Sequence, residues 1–263
     1  MTDPVLSMRG AALTLGGRAL WTGLDLDVAP GEFVAVLGAN GSGKTSLLKA
    51  ILGEHTLTAG TADFLGNPVR RGDRRIGYIP QQRRQDDGVA LRARDLVRLG
   101  VDGHRWGPGI PSPRRRAQVD ALLDEVGATH FAKVPVAALS GGEQQRLRVA
   151  QALGAGPRLL LCDEPLGSLD LRAQAVVSDL IDRTRRDRDV GVLFVTHDVN
   201  PVLDHVDRVL YLAGGRFRIG TPDEVLRTEV LSELYGSPVD VLRARGRVVI
   251  VGAPDQSHHQ GEH

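Results

Sequence analysis

Apolar positions change their spacing along the chain, and the change distinguishes predicted strands from predicted helices. Two apolar segments, at 5–8 and 11–15, precede a Gly16-Gly17 turn, and residues 24–28 then alternate strictly between apolar and polar. This pattern predicts half-buried strands over each of these segments. Pro30-Gly31 ends this part, and residues 33–37 are then apolar at every position. Such an unbroken run is typical of a parallel strand that is buried on both faces.

Two similar apolar runs follow later in the chain, at 159–162 and 192–195. Helical patterns lie beside these runs, at about 44–52 and near 172–186, and Gly53 is placed to end the first helix. Strands that alternate with helices indicate an α/β fold built on a parallel sheet.

The remaining segments predict a helical region and a mixed C-terminal part. Residues 91–153 follow a mostly helical pattern, which the Gly- and Pro-rich stretch 103–113 interrupts. Two short strands, a helix and further strand structure are then predicted, at 206–219, 222–235 and 239–251. Residues 253–263 are polar, and we expect them to be disordered.

Composition narrows the classes of function. With 33 basic and 32 acidic residues, the 263-residue chain has a net charge of +1, which gives no reason to expect a general nucleic-acid binder. The single cysteine, Cys162, excludes an internal disulfide and fits a reducing cytoplasm. The first ten residues do not resemble a secretory signal. No apolar run approaches the roughly 20 residues that span a bilayer, so we expect any membrane role to require a partner.

A glycine-rich loop connects the first apolar run to the first predicted helix. It matches G-x-x-x-x-G-K-[ST], the motif whose backbone N–H groups surround a phosphate chain at a helix N-terminus. In that motif Lys44 reaches the β- and γ-phosphates, and the Thr45 hydroxyl binds Mg²⁺. The predicted nucleotide-binding positions are Gly38, Ala39, Asn40, Gly41, Ser42, Gly43, Lys44, Thr45 and Ser46.

Two acidic residues, Asp163 and Glu164, come directly after the apolar run 159–162. They are therefore placed at the carboxyl end of a buried strand, where ligands bind in open α/β sheets. Asp163 suits binding of Mg²⁺, either directly or through a water ligand of the ion, and Glu164 suits a group that polarises an attacking water. Without the phosphate loop, the same pair would equally fit two solvated acids that end a strand.

Residues 139–146 predict the start of a helix with an unusual composition. Ser140 and Glu143 have the spacing of a capping box. An ordinary helix start explains those two residues, but it leaves Gly141 and Gly142 unexplained, because a glycine inside a helix costs about 1 kcal/mol. Glycines at this place would leave the helix N-terminus open to the close approach of an anion.

On this segment the sequence resembles the ABC ATPase family, whose signature is LSGGQ; residues 139–143 read LSGGE. The resemblance covers residues 5–250 and implies an ATP-binding domain of the P-loop NTPase class. The implied fold has a parallel-sheet core, an N-terminal antiparallel β subdomain and a helical signature subdomain at about 84–155. The implied activity is hydrolysis of ATP with Mg²⁺.

The resemblance also implies that two ATP-binding subunits pair head to tail. Ser140, Gly141 and Gly142 of one chain would then contact the nucleotide on the phosphate loop of the other. Three further positions match the family: Gln81 as a Mg²⁺ contact that senses the membrane domain, Asp170 in the D-loop, and His197 as the switch histidine at the γ-phosphate. Taken singly, each has a plainer interpretation: a loop amide, a turn acid and a strand-end histidine.

One position departs from the family pattern. The family places an aromatic residue before the first turn to stack on adenine, whereas this chain has Leu15 there. Trp21 is nearby, but we expect it to pack in the sheet. A preference for ATP over GTP is therefore less well specified than phosphate binding.

Several features favour a transporter subunit over relatives that act on nucleic acid. The segment between Gln81 and Ser140 has no room for a long coiled coil, and the chain carries a single cassette. Arginine clusters could mimic a nucleic-acid surface, but they are dispersed among acids. The resemblance then implies a membrane permease and an extracytoplasmic substrate-binding protein as partners, at the cytoplasmic face of the membrane, with no nucleic acid.

The transported substrate has a weaker signal. Residues 196–203 and Tyr235-Gly236 look similar to the importer branch for manganese, zinc and iron, which favours import of zinc or manganese. The His-containing residues 257–263 could bind a metal, or they could be a solvated end. A different substrate, a nucleic-acid remodeller and a non-catalytic nucleotide sensor remain as alternatives.

Overall fold

The computed structural model describes residues 3–81, 91–103 and 112–252. The expected tail at 253–263, and parts of the regions 84–155 and 103–113, lie outside the described residues. Within the described residues, no helix is long and apolar enough to cross a membrane.

Three sheets contain all twelve strands of the described chain. A four-stranded antiparallel sheet has the order β2-β1-β4-β5, a six-stranded sheet has the order β10-β9-β3-β8-β7-β6, and β11 pairs with β12. In the six-stranded sheet all neighbours are parallel except β10 and β9. The strands are β1 (Leu6–Leu15), β2 (Arg18–Val28), β3 (Phe33–Gly38), β4 (Ala59–Phe64), β5 (Asn67–Pro68), β6 (Ile76–Ile79), β7 (Leu159–Asp163), β8 (Gly191–Val195), β9 (Arg208–Ala213), β10 (Arg216–Gly220), β11 (Asp240–Ala244) and β12 (Arg247–Val251).

The helices lie where the sequence pattern places them, with shifted ends. Short 3₁₀ turns add to them at Thr129–Phe131, Val136–Ala138 and Leu203–His205. The α-helices are α1 (Lys44–Ile51), α2 (Ala93–Asp102), α3 (Pro113–Glu125), α4 (Gly141–Leu153), α5 (Leu171–Arg188), α6 (Pro222–Val225) and α7 (Thr228–Tyr235).

Two predictions of local structure were wrong. The single helix expected over 222–235 is two helices, because the buried Leu226 takes a non-helical backbone conformation (φ −86°, ψ 67°). The two N-terminal segments expected at 5–8 and 11–15 form one strand, which continues through Gly10 with shifts in register. Gly10 has a φ of +52°, so a glycine allows the strand to bulge rather than end.

Alternate residues of β3 face two separate hydrophobic cores. Phe33, Ala35 and Leu37 pack with the helical side of the molecule. Val34 and Val36 pack with α1 and the antiparallel sheet. Both faces of the central sheet are therefore covered, which is why this strand is apolar at every position. The predicted fold class, a parallel-sheet core with an antiparallel β subdomain and a helical part, is confirmed.

Candidate nucleotide-binding and hydrolytic site

Two glycines give the loop between β3 and α1 its shape. Gly38 has a φ of +139°, and a Cβ there would lie 2.1 Å from the carbonyl oxygen of Leu212 on β9. Gly43 has a φ of +96°, and a Cβ there would lie 3.0 Å from the Cβ of Leu20 and 3.1 Å from the Trp21 ring. The backbone therefore turns tightly against β9 and β2, and only glycine fits at either position.

Lys44 begins α1 and folds back into this loop. Its Nζ donates to the carbonyl oxygens of Gly38 at 2.7 Å and Ala39 at 3.0 Å, and the residue is 5% exposed. Burial lowers the pKa of Lys44, against the opposing effect of the Glu164 and Asp163 carboxylates. A cation is thus held inside a loop whose shape suits a phosphate chain.

Thr45 and Asp163 bring a hydroxyl and a carboxylate together at the carboxyl end of β7. The Thr45 hydroxyl donates to Asp163 Oδ1 at 3.1 Å, and the Tyr78 hydroxyl donates to Oδ2 at 3.3 Å. Burial raises the pKa of Asp163, while both hydrogen bonds act to lower it. A buried carboxylate beside a hydroxyl is an oxygen-only donor set of the kind that Mg²⁺ prefers, so these residues fit the ion.

Glu164 contacts two other predicted site residues, Gln81 and His197. Its Oε2 accepts a hydrogen bond from Gln81 Nε2 at 3.1 Å and lies 3.7 Å from His197 Nδ1. These residues follow β6, β7 and β8, so adjacent parallel strands deliver them to one edge of the sheet. The side chain of Glu164 is 19% exposed and that of His197 is 58% exposed.

The backbone of Glu164 is strained. Its φ is +46°, in the left-handed region that non-glycine residues seldom adopt. Its N–H donates to the carbonyl oxygen of Val195 at 3.0 Å, which ties the turn to the next strand. Strain of this kind is held by the surrounding structure and concentrates at functional sites.

The predicted helix start at Ser140 is confirmed. Ser140 caps α4, with Glu143 N–H donating to its Oγ at 3.4 Å, and Glu143 Oε2 accepting from the Ser140 N–H at 2.8 Å. The Ser140 hydroxyl also donates to Glu143 Oε2, at 2.7 Å. The two hydrogen bonds that the Ser140 hydroxyl and N–H donate to this carboxylate lower the pKa of Glu143. A Cβ at Gly141 would meet nothing within 4 Å, whereas one at Gly142 would lie 3.0 Å from the Cβ of Ala173.

Asp170 lies beside this helix start, at the beginning of α5. Its Oδ1 accepts a hydrogen bond from the Ala173 N–H at 2.8 Å and caps the helix. The signature segment and the D-loop position are therefore neighbours through Ala173. Among the described residues, Ser140 is hydrogen-bonded to Glu143 and Gln144 of its own helix and not to the phosphate loop.

Sequence reasoning missed the role of Tyr78 and did not foresee the contact of Trp21. Tyr78 lies on β6 beside Leu161 of β7, which places its hydroxyl near Asp163. The signal for this contact in the sequence was a tyrosine near the end of a predicted strand, two residues before Pro80. Trp21 is fully buried, as expected, and packs against Gly43. Because Trp21 is buried, it presents no exposed face to a ligand, whereas Leu15 is 39% exposed.

The chain is similar to known proteins along most of its length. Residues 21–167 match the ABC transporter family. The chain is 35% identical over 236 residues to the zinc import ATP-binding protein ZnuC of Pseudomonas savastanoi, covering 90% of this chain and 83% of that protein. It is 33% identical over 274 residues to the protein of the same name from Pseudomonas putida, covering 100% and 98%. A solved structure of a metal-chelate type ABC transporter in an inward-facing conformation has a TM-score of 0.79 and 27% identity, covering 94% of this chain and 96% of that one.

Proposed function

Since this chain belongs to the ABC transporter family and is an ATP-hydrolysing subunit, we propose that it drives the import of a divalent metal ion, zinc or manganese. The observation that carries the proposal is similarity along nearly the whole chain to two zinc import ATP-binding proteins. Because their names specify zinc, zinc is favoured over manganese.

We assign the chemical roles from the contacts around the phosphate loop. Lys44 and the loop N–H groups hold the β- and γ-phosphates, and Thr45 and Asp163 hold Mg²⁺. When bound, Mg²⁺ neutralises charge on the phosphates. Glu164 orients the attacking water and accepts its proton, because its carboxylate is ionisable and held at the edge of the loop. Gln81 and His197 position that carboxylate, and His197 also contacts the γ-phosphate.

A second copy of an ATP-binding subunit would complete each site. Ser140 and Gly141 are exposed at the N-terminus of α4, where an anion is favoured. Next to the capping Asp170, Leu171 is 72% exposed, and a large exposed apolar side chain at such a place supports a protein contact. Both features support a head-to-tail pair in which Ser140, Gly141 and Gly142 contact the nucleotide of the other chain.

A cleft beside β6 supports docking of a membrane permease. It has a volume of about 280 Å³, and its lining includes the apolar residues Leu52 and Ile76. Because β6 leads directly to Gln81, a subunit held there would act on the residue that touches Glu164. We place the chain at the cytoplasmic face of the membrane, with an extracytoplasmic substrate-binding protein as the third component. The charged and polar residues that line the cleft beside β6 are Glu54, Arg70, Arg71, Asp73 and Tyr78.

The test is ATP hydrolysis by the full chain assembled in vesicles with its permease and its binding protein. We expect turnover to rise several-fold when the binding protein carries zinc, and less with manganese. Glu164→Gln serves as the control for hydrolysis by contaminants. Stimulation by DNA or RNA, or by another solute with no response to either metal, would remove the proposed substrate class.

A further inference from the structure

The loop that carries His197 is organised by its two neighbours. The Thr196 hydroxyl donates to the Asp198 carbonyl oxygen at 2.7 Å, and it accepts from the Asp198 N–H at 3.2 Å. His197 therefore lies between two residues that are bonded to each other. The backbone on both sides of His197 is therefore held in one turn.

Asp198 is itself held by Asn200. Asp198 Oδ1 accepts from both the backbone N–H and the Nδ2 of Asn200, at 2.9 and 2.7 Å. Two hydrogen bonds to one carboxylate oxygen make a tight turn, which fixes the side chain of Asn200 as well as its backbone.

The same Asn200 side chain reaches across to the C-terminal hairpin. Its Nδ2 donates to the Val248 carbonyl oxygen at 2.9 Å, and its Oδ1 accepts from the Val248 N–H at 2.8 Å. The amide thus pairs with both main-chain groups of one residue of β12, as a neighbouring strand would. Val248 is 5% exposed, so loss of this partner would leave a main-chain donor and acceptor poorly satisfied.

The hairpin is a fixed anchor for this pairing. The Ser232 hydroxyl of α7 bonds to the N–H and the carbonyl oxygen of Val239, each at 3.0 Å. Thr228 Oγ1 accepts from the Val241 N–H at 2.9 Å. Val248 also packs in the same core as Val199 and Val202, on either side of Asn200.

We propose that Asn200 is a positioning residue, which couples the C-terminal hairpin β11–β12 to the hydrolytic site by holding the loop of His197. The coupling keeps His197 within reach of Glu164, 3.7 Å away. The inference rests on the proposed role of His197 in hydrolysis. It extends the site to residues 240–251, which lie outside the segment 21–167 that matches the family.

The test compares Asn200→Ala in two backgrounds, with the full chain assembled with its permease. In the wild-type background we expect kcat for ATP to fall about tenfold, because small displacements of a reacting group are costly. Nucleotide affinity should change by less than about twofold, since the phosphate loop is untouched. In a His197→Ala background the same substitution should add no further loss.

Two additional variants separate positioning from general damage. Asn67→Ala removes an amide that donates to the Leu65 carbonyl oxygen at 3.0 Å in an exposed turn, and it should leave kcat unchanged. Asn200→Gln keeps the amide on a longer side chain and should recover part of the lost turnover. Faster hydrogen exchange at the Val248 amide in Asn200→Ala would report the broken link directly.

The outcomes are distinguishable. An equal loss of kcat in both backgrounds would mean that Asn200 has only a structural role. Unchanged turnover in Asn200→Ala would mean that Asn200 does not position His197. Either result overturns the inference while the proposed function stands. Unchanged turnover in His197→Ala alone would remove the role of His197, and the inference with it. A loss confined to the wild-type background supports the coupling.

Discussion

The two parts of the candidate site are built in opposite ways. Around the phosphate loop, Lys44 and Asp163 are 5% and 3% exposed and are held by partners on other elements. At the signature helix, Ser140 is exposed and is satisfied by Glu143, three residues away. The hydrogen-bond partners of the first part come from other elements of the fold, whereas those of the second part come from the same turn of helix.

The difference in partners indicates where each part acts. A local capping box keeps α4 stable whatever lies beyond it, so the open space beside Gly141 can be used by another molecule. The buried part, by contrast, already has its cation and its carboxylates in place within one chain. Substitutions should therefore act within the same chain in the first part and across a subunit boundary in the second.

The largest effect is expected from Glu164→Gln, in the buried part. The amide keeps the size of the side chain and can still accept the hydrogen bond from Gln81, but it cannot take a proton from water. We expect ATP hydrolysis to fall about 10²- to 10⁴-fold, while nucleotide binding persists and a nucleotide-bound dimer accumulates. Single-turnover hydrolysis and equilibrium binding of nucleotide measure the two quantities separately.

A matched control is Glu229→Gln on α7, where the carboxylate lies 3.5 Å from Arg227 and is 73% exposed. It changes the same charge far from the phosphate loop and should leave hydrolysis unaltered. Normal turnover in Glu164→Gln would contradict the role assigned to this carboxylate.

A large effect is also expected from substitutions that separate the two parts, if the two parts of one working site come from different chains. Lys44→Ala should lose phosphate binding. Gly141→Asp should place a negative charge where a phosphate would approach and lower turnover at least about tenfold, although Asp in the first turn favours the helix. Mixing the two inactive variants should restore activity, up to about a quarter of the wild-type rate, because half of the dimers are mixed and each has one intact site.

Two control variants are needed to interpret the experiment that mixes Lys44→Ala with Gly141→Asp. Lys49→Ala changes another lysine of the same helix and should keep nucleotide binding. Gly141→Ala adds a methyl group into open space and should lose much less activity than Gly141→Asp. If the mixed sample stayed inactive while each variant still formed dimers, the two parts would act within one chain.

The same contrast explains how much could be predicted from the sequence. The strand at 33–37, the phosphate loop and the cap at Ser140 depend on neighbouring residues, and all three were predicted. The strand-end residues Gln81, Glu164 and His197 could also be expected at one edge, because parallel strands end together.

Contacts between distant segments could not be predicted in the same way. The hydrogen bond of Tyr78 to Asp163 depends on the register of β6 and β7. The close approach of Gly38 to Leu212 depends on the register of β3 and β9. The pairing of Asn200 with Val248 joins residues 48 positions apart, and the pattern of apolar residues carries no information on it.

The smallest effect is expected at Leu15, the position where the family pattern predicts a residue that faces the base. Leu15 is exposed at the end of the β1–β2 hairpin, whose Leu20 and Trp21 touch Gly43 of the phosphate loop. Leu15→Tyr should add an aromatic face and strengthen ATP binding by about 0.5–1.5 kcal/mol, or roughly two- to tenfold. Displacement of a fluorescently labelled nucleotide by ATP, and separately by GTP, would measure both affinities. Leu15→Ala is the matched control and should weaken binding slightly or not at all; an equal change in both variants would mean that the base does not lie against this residue.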